Sequence, residues 1–301
     1  MRRTKTDGGE RPVITRARDW IREHGIVIYA VLAIAYMLIP LVVIAVFSFN
    51  DPAGKFNFTW EGFTLEHWEN AFSLPDLNEA LLNSLQLAAL STVIATALGT
   101  LIALALVRHE FFGRRPANFL IVIPMATPEV VIGAALLSMF LIYGISLGLT
   151  TLLIAHVMFS ISFVVVVVRS RLIGFDRSLE EAARDLGATP FQTFRLVTLP
   201  LLMPGIVGAA LLAFALSIDD FVISNFNSGD TVTFPLYIFG ASQRGIPVEV
   251  YSIATILFAV TALAMAFTVW QQRRAERMAA MLPDEDEEAV PTATAIGTAR
   301  S

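Results

Sequence analysis

The stretch Glu181-Ala-Ala-Arg-Asp-Leu-Gly187, followed after nine residues by Val197-Thr-Leu-Pro200, decides the fold of this chain. Ser178 and Glu181 match the Ser-x-x-Glu capping box that starts a helix. Gly187 matches the glycine that ends one, because glycine adopts the left-handed conformation without strain. The stretch therefore predicts a short helix with a defined start and a defined end.

The residues after Gly187 predict a second short helix. Thr189 is placed to cap it, Pro190 occupies its first position, and Gln192 completes another capping box. We interpret the resulting helix-turn-helix as a docking element for another protein. Its first helix would carry one small apolar face, formed by Leu179, Ala182, Ala183 and Leu186.

The rest of the chain has the composition of a membrane protein. Of its 301 residues 55% are hydrophobic, and the mean hydropathy of +0.67 exceeds that of soluble domains. Long apolar runs predict transmembrane helices, because about 20 apolar residues span a bilayer. We expect an all-α integral membrane protein with six spans, at about residues 26–48, 85–107, 118–142, 149–168, 203–225 and 250–270.

The basic residues lie almost entirely on one side of these predicted spans. Seven Lys and Arg residues precede the first span, three lie at 108–115, five lie at 169–195 and four follow residue 270. Only Lys55 and Arg244 remain of the total of 21. Because Lys and Arg in short loops stay in the cytoplasm, this bias predicts that both termini and the helix-turn-helix are cytoplasmic.

We divide the chain into three parts. Residues 1–25 form a basic leader, within which residues 16–23 favour a short helix lying on the membrane surface. Because a span long enough to stay in the membrane follows the leader, we expect the first helix to be an uncleaved anchor. Residues 26–272 form the transmembrane domain, with the docking loop at 169–200. Residues 273–301 predict a disordered acidic tail.

The sequence lacks the pattern of a nucleotide-binding enzyme. It has no Gly-x-x-x-x-Gly-Lys-[Ser/Thr] loop and no cysteine. Its four histidines lack the spacing of metal ligands. We therefore expect no catalytic centre, metal site or cofactor in this chain. We expect His156, in the fourth predicted span, to hydrogen-bond a neighbouring helix.

Two neighbouring carboxylates in the fifth predicted span are candidate functional groups, because acids are costly inside a membrane. On a continuous helix Asp220 shares a polar stripe with Ser217, Ser224 and Asn227, whereas Asp219 points about 100° away. We predict that Asp220 faces a solute path. Asp219 either lines the same path or accepts hydrogen bonds from a neighbouring helix. The alternative for both is a buried, paired acid or a helix end already in water.

Glu129 is the third acid, in the segment Ile123-Pro-Met-Ala-Thr-Pro-Glu129 of the third predicted span. Pro124 and Pro128 predict a broken helix with free backbone carbonyls, an arrangement that transporters use around mid-membrane sites. Carbonyl oxygens beside a carboxylate suit a cation. The alternative is a proline kink with Glu129 hydrogen-bonded to a neighbouring helix.

The helix-turn-helix resembles the EAA loop of ABC-importer permeases. That pattern is Glu-Ala-Ala, three residues, Gly, nine residues and Ile-x-Leu-Pro, and this sequence departs from it only by Val197 in place of Ile. The resemblance implies that the loop inserts into a groove on a separate ATPase subunit. The alternative is a capped amphipathic hairpin on any membrane protein. The implied coupling residues are Glu181, Ala182, Ala183, Arg184, Asp185, Gly187 and Pro200.

Residues 26–270 also resemble the spermidine/putrescine branch of these permeases. The resemblance implies a type I importer with a MetI-like bundle in the inner membrane of a bacterium. It implies two ATPase copies that bind ATP and Mg²⁺, a second, related permease chain and an extracytoplasmic binding protein. It also implies a polycationic substrate, surrounding membrane lipid and no nucleic-acid partner. The matching segments are 63–70, 83–85, 217–226, 229, 235–239 and 245–249.

Three hypotheses follow from the sequence. The first is a polyamine importer permease with Asp219, Asp220 and Glu129 along the path. The second is the same machine for another small solute, such as an amino acid derivative, an opine-like molecule or an anion; three acids and no base inside the spans argue against an anion. The third is an ion-coupled secondary transporter or channel. The docking loop and the lack of a convincing inverted repeat argue against that class.

Overall fold

A computed structural model of the chain describes residues 13–54, 56–174 and 176–279. Within them the secondary structure is helical, apart from one isolated bridge between Asn50 and Phe63. The predicted all-α class is therefore confirmed over the described part of the chain. Most of the predicted acidic tail, from residue 280, and the first 12 residues of the leader lie outside the described residues.

The helices of the described residues follow one another along the chain with short connections. In chain order they are α1 (Val13–Phe47), α2 (Glu66–Glu69), α3 (Pro75–Arg108), α4 (Arg114–Ala126), α5 (Glu129–Ile142), α6 (Leu149–Ile173), α7 (Ser178–Asp185), α8 (Pro190–Thr193), α9 (Leu199–Ile218), α10 (Val222–Asn227), α11 (Phe234–Ser242) and α12 (Val248–Ala279). A π-helical turn, Phe194–Thr198, joins α8 to α9.

The chain divides into two compact units. One contains residues 1–49 and 251–301, and the other contains residues 50–250. In the first unit, residues 16–23 are helical and continuous with the apolar part of α1 rather than a separate helix. The apolar part, His24–Phe47, has a mean hydropathy of 2.8 and leaves its side chains exposed, as expected of a surface that lipid or another membrane helix covers.

The second unit is built on the packing of α3, α6 and α9. Three small residues spaced four apart on α3, Ala95, Gly99 and Ala103, form a stripe that is buried in this core. A Cβ atom on Gly99 would lie 2.6 Å from Cγ1 of Val164 on α6, which is inside van der Waals contact. The stripe therefore lets the two helices approach closely, as small residues do in membrane proteins.

The third predicted span is two helices rather than one. α4 and α5 are bent by 109° at Thr127 and Pro128. Thr127 has φ −89° and ψ 134°, the extended conformation that a following proline favours. The predicted proline break is confirmed at Pro128, whereas Pro124 stays inside α4.

The fifth predicted span is also interrupted. The membrane helix begins earlier than expected, at Leu199, and ends at Ile218. Residues 219–221 separate it from α10. The prediction of one helix over 203–225 is therefore wrong. The physical cause lies in Asp220, whose side chain caps the start of α10 in competition with a continuous helix.

Within the described residues, four helices are long and apolar enough to span a membrane, or five if the bent α4–α5 pair is counted as one span. The four are His24–Phe47, Pro75–Arg108, Leu149–Ile173 and Pro190–Ile218. In α12 the apolar part, Val248–Leu263, is shorter. The first five predicted spans thus have counterparts, and the sixth, over 250–270, stays a prediction.

Candidate functional site

The three predicted acids come together at the two helix breaks. Glu129 is the first residue of α5, Asp219 follows α9, and Asp220 precedes α10. α5 packs against α10, with Gly133 close to Phe226. A Cβ atom on Gly133, one turn into α5, would lie 3.5 Å from the Cα atom of Ile223 near the start of α10, so the first turns of these helices adjoin. The structure therefore places three acids that are about 90 positions apart in sequence at two adjoining helix breaks.

Asp219, not Asp220, is the exposed member of the pair. Asp220 is only 8% exposed, whereas Asp219 and Glu129 are exposed. The helical-wheel argument does not hold here, because it requires a continuous helix and α9 ends at Ile218. That Asp220 faces a solute path stays a prediction. Because assembly with other chains can only reduce exposure, Asp220 stays buried in any complex that keeps this fold.

Both carboxylate oxygens of Asp220 accept hydrogen bonds from the backbone of α10. Its Oδ1 accepts the N–H of Ile223 at 3.2 Å, and its Oδ2 accepts the N–H of Ser224 at 2.8 Å. These are two of the free N–H groups at a helix start, which also attract negative charge. Asp220 therefore has a structural role at the break.

His156 of α6 lies beside this cap and bridges the break. Its Nδ1 is 2.7 Å from Oγ of Ser217 at the end of α9, and its Nε2 is 3.1 Å from Oγ of Ser224 on α10. Its Nε2 also lies 3.5 Å from Oδ2 of Asp220. On the far side, Oγ of Ser91 on α3 donates to Oγ of Ser217 at 3.0 Å. The predicted hydrogen bond from His156 to a neighbouring helix is confirmed.

The remaining member of the predicted polar stripe is also interior. Asn227 is fully buried, and its Nδ2 donates to the backbone oxygens of Gly133 at 3.3 Å and Ile223 at 2.9 Å. The hydroxyl of Thr151 donates to the backbone oxygen of Asn227 at 2.9 Å. Ser217 and Ser224 are likewise buried. The stripe therefore joins α3, α5, α6, α9 and α10 to one another through hydrogen bonds. That it faces a solute path stays a prediction.

The docking loop forms a second candidate site, and its helix ends are as sharp as the sequence predicts. Gly187 has φ +86°, the left-handed conformation that ends α7. Thr189 accepts the N–H of Gln192 at 3.3 Å, and the Gln192 side chain accepts the N–H of Thr189 at 2.8 Å. The second predicted capping box, with Pro190 following Thr189, is thus confirmed.

The first predicted capping box is wrong. Asp176, not Ser178, supplies the capping oxygen, because its Oδ1 accepts the N–H of Ser178 at 2.9 Å. The hydrogen bonds from the backbone and then the side chain of Ser178 hold the pKa of the Asp176 carboxyl below its ordinary value. The Glu181 side chain is left free of that role and is exposed.

Glu180, which the sequence did not single out, ties the loop to the membrane helices. Its Oε1 accepts from the guanidinium of Arg108 at 2.7 Å and from the hydroxyl of Thr198 at 2.6 Å. Arg108 ends α3, and Thr198 ends the π-helical turn before α9. A cavity of about 410 Å³ adjoins these residues. The only feature of the sequence that could have indicated this role of Glu180 is its position next to Glu181. Its hydrogen-bond partners, Arg108 and Thr198, are 72 and 18 residues away in the chain.

The outer surface of the loop is apolar. Leu179 is 48% exposed and Leu186 is 90% exposed, and Ala182 is exposed beside them while Ala183 is half-buried. Phe191 and Leu196, each 69% exposed, extend this surface beyond the face predicted from sequence. Large apolar side chains grouped on a polar loop are typical of a protein-interaction site. We call Leu179, Leu186, Phe191 and Leu196 the docking surface.

The fold matches solved importer structures. One neighbour is a bacterial ABC transporter involved in the import of the acidic polysaccharide alginate; it covers 86% of this chain and 99% of its own, with a TM-score of 0.63 and 19% identity. Another is an amino acid ABC transporter, with a TM-score of 0.53, 20% identity, and coverage of 71% and 100%. At 19% and 20% identity these likenesses show a shared fold.

The sequence comparisons specify the family. Residues 95–279 match the model for the binding-protein-dependent transport system inner membrane component, and the chain belongs to that family. It is 37% identical over 239 residues to a spermidine/putrescine transport system permease protein, PotC, of Haemophilus influenzae, covering 79% of this chain and 91% of that protein. It is 39% identical over 228 residues to PotC of Escherichia coli K12, covering 75% and 86%. It is 34% identical over 266 residues to the putrescine permease protein PotI of the same strain, covering 85% and 94%.

Proposed function

We propose that this chain is the permease subunit of an ATP-driven importer of polyamines such as spermidine and putrescine. The single observation that carries the proposal is the pair of exposed carboxylates, Asp219 and Glu129, at the two helix breaks, in a chain whose relatives are named as spermidine/putrescine permeases. Asp219 and Glu129 supply negative charge without a dense ligand cage. These charges can therefore replace part of the hydration that a polycation loses, and they bind it weakly enough for it to leave the site.

The docking loop is the coupling site for a separate ATPase in this proposal. Six of the implied coupling residues are exposed and Ala183 is half-buried, so they are available to a partner together with the docking surface. Glu180 passes a displacement of the loop to α3 and α9 through Arg108 and Thr198. ATP and Mg²⁺ are bound by two copies of that ATPase. This chain contributes no nucleotide site.

The assembly follows from the same scheme. One chain carries one docking loop, so a second, related permease supplies the loop for the second ATPase. An extracytoplasmic binding protein delivers the polyamine, as a periplasmic protein accompanies the alginate transporter in one solved complex. Both chain termini face the cytoplasm of a bacterial inner membrane, because 19 of the 21 basic residues then lie inside. Six spans satisfy that topology, with the last formed by α12.

Transport in reconstituted vesicles tests the proposal. Vesicles containing this chain with its ATPase, second permease and binding protein are expected to accumulate labelled putrescine or spermidine only when ATP is present, with each polyamine competing against the other. The matched control carries an ATPase unable to hydrolyse ATP. If ATPase activity responds to a different loaded binding protein and neither polyamine accumulates, the importer class stands and the polyamine substrate is wrong.

A further inference from the structure

His156 is a buried histidine placed where the membrane helix is interrupted. It is 2% exposed, and its two ring nitrogens contact hydroxyls on opposite sides of the break, Ser217 before it and Ser224 after it. The interruption itself contains Asp219 and Asp220. One imidazole on α6 therefore fixes the end of α9 relative to the start of α10.

The hydrogen-bond network around His156 holds the chain on both sides of Asp219, which restricts the position of its backbone. Asp220 is held by the N–H groups of Ile223 and Ser224, and Ser217 is held from its other side by Ser91. Ser217 and Asp220, which flank Asp219 in the chain, thus each have two hydrogen-bond partners. Buried polar networks with all members bonded make a structure rigid, because every alternative arrangement leaves a polar group without a partner.

We infer that His156 is a positioning residue for transport: it holds Asp219 beside Glu129 and so sets the apparent affinity of the pathway for a polycation without contacting it. The inference rests on the proposed function, because it assigns the two exposed carboxylates to the solute path. One part of the inference, that His156 fixes the distance between residues 129 and 219, does not depend on the identity of the substrate.

Transport kinetics provide the first test. In the complete transporter, His156→Leu is expected to raise the KM for putrescine and spermidine by about tenfold, the scale of the hydrogen bonds lost, with kcat retained. His156→Gln, which keeps a donor and an acceptor, is expected to restore part of that loss. In the Asp219→Asn background, His156→Leu should add little, because the carboxylate it positions is already gone.

Ser160→Ala is the matched control. Ser160 lies one turn from His156 on the same helix and is 1% exposed, and its hydroxyl has no hydrogen-bond partner among the described residues. It is expected to leave the KM unchanged. A KM that rises equally in Ser160→Ala, or that rises by the full factor again in the Asp219→Asn background, overturns the positioning role.

A distance measurement tests the same inference without a substrate. The chain has no cysteine, so cysteines introduced at positions 129 and 219 can carry a pair of spin labels in the assembled transporter. The parent and Ser160→Ala are expected to give one narrow distance distribution, and His156→Leu a broad one. An unchanged distribution in His156→Leu overturns the inference whatever the substrate is.

Two further outcomes separate the inference from the proposed function. If the parent takes up no polyamine, the proposed function fails and the distance distribution alone decides the inference. If His156→Leu does not assemble, Ser224→Ala, which removes the contact on the α10 side only, is measured in its place with the same expected rise in KM and the same broadening.

Discussion

The guanidinium of Arg108 donates to Oε1 of Glu180 at 2.7 Å, which joins the C-terminal end of α3 to the first helix of the docking loop. Both side chains are largely buried, at 15% and 13% exposed, and the same oxygen accepts from Thr198. A single atom, Oε1 of Glu180, therefore connects the loop to two elements of the core, the end of α3 and the turn before α9. Movement of the loop therefore reaches the membrane helices through Glu180.

Glu180→Ala is expected to reduce ATP-driven uptake by at least about tenfold, because it removes a buried carboxylate that Arg108 and Thr198 share and detaches the loop. The measurement is the ratio of solute transported to ATP hydrolysed, which should fall as the two processes separate. Arg115→Ala, at an exposed arginine in the first turn of α4, is the control and should leave the ratio unchanged. A normal ratio in Glu180→Ala would remove the coupling role of this contact.

Gly187→Val is expected to abolish uptake while the protein remains in the membrane. The left-handed φ of +86° costs a β-branched residue about 1–2 kcal/mol or more, and no atom lies within 4 Å of the position a Cβ would take, so the effect is conformational rather than steric. Gly187→Asn is the matched control, since asparagine tolerates this conformation, and it should keep most of the activity. Equal activity in the two variants contradicts the explanation.

Leu186→Asp is expected to prevent binding of the ATPase. The side chain is 90% exposed, so the variant should fold normally and fail only in assembly, measured as ATPase co-purified with the permease. Phe112→Asp, at an apolar side chain that is equally exposed and lies outside the docking surface, is the matched control for the new charge and should leave the recovery of the ATPase unchanged. Full ATPase recovery with Leu186→Asp would show that the docking surface lies elsewhere.

Substitutions of Asp219 and Asp220 are expected to change different properties, the KM in one case and the thermal stability in the other. Asp219→Asn should raise the KM for a polycation and leave thermal stability unchanged. Asp220→Ala should lower stability by about 1 kcal/mol, the usual cost of losing a helix cap, and its effect should appear as a lower midpoint of thermal unfolding. The opposite assignment, with Asp220→Ala stable and Asp219→Asn unfolding at lower temperature, would contradict the exposure of the two side chains.

Gly99→Ala is expected to destabilise the α3–α6 contact by about 1–3 kcal/mol, because the new methyl group overlaps Val164. The double variant with Val164→Ala should recover part of that loss, since the overlapping Cγ1 atom is removed. The check is a double-mutant cycle of unfolding midpoints in detergent. Purely additive losses would place the strain away from this contact.

Much of the fold could be predicted from the sequence because the relevant forces are local. Pro128 breaks the third span, Gly187 ends α7, and Thr189 with Gln192 caps α8, and each of these depends on residues at most four positions apart. Apolar runs predicted five of the membrane helices or helix pairs for the same reason.

The sequence predicted which acids belong to the candidate site, but not how their side chains are arranged. The sequence identified Asp219, Asp220 and Glu129, and the structure places them at two adjoining helix breaks. The burial of Asp220 was not foreseen because helical periodicity was carried across a break. The Asp220 side chain could have indicated that break: an aspartate three and four residues before Ile223 and Ser224 is a helix-cap position.

Local sequence alone settles the capped docking loop, the close-packing face of α3 and the proline break, since backbone conformation and capping bonds form between residues adjacent in the chain. Helix packing decides which aspartate is exposed, which carboxylate ties the loop to α3, and that His156 spans the break. Those contacts join residues 18 to 72 positions apart. Their geometry is fixed by how whole helices meet in three dimensions, which a local pattern does not contain.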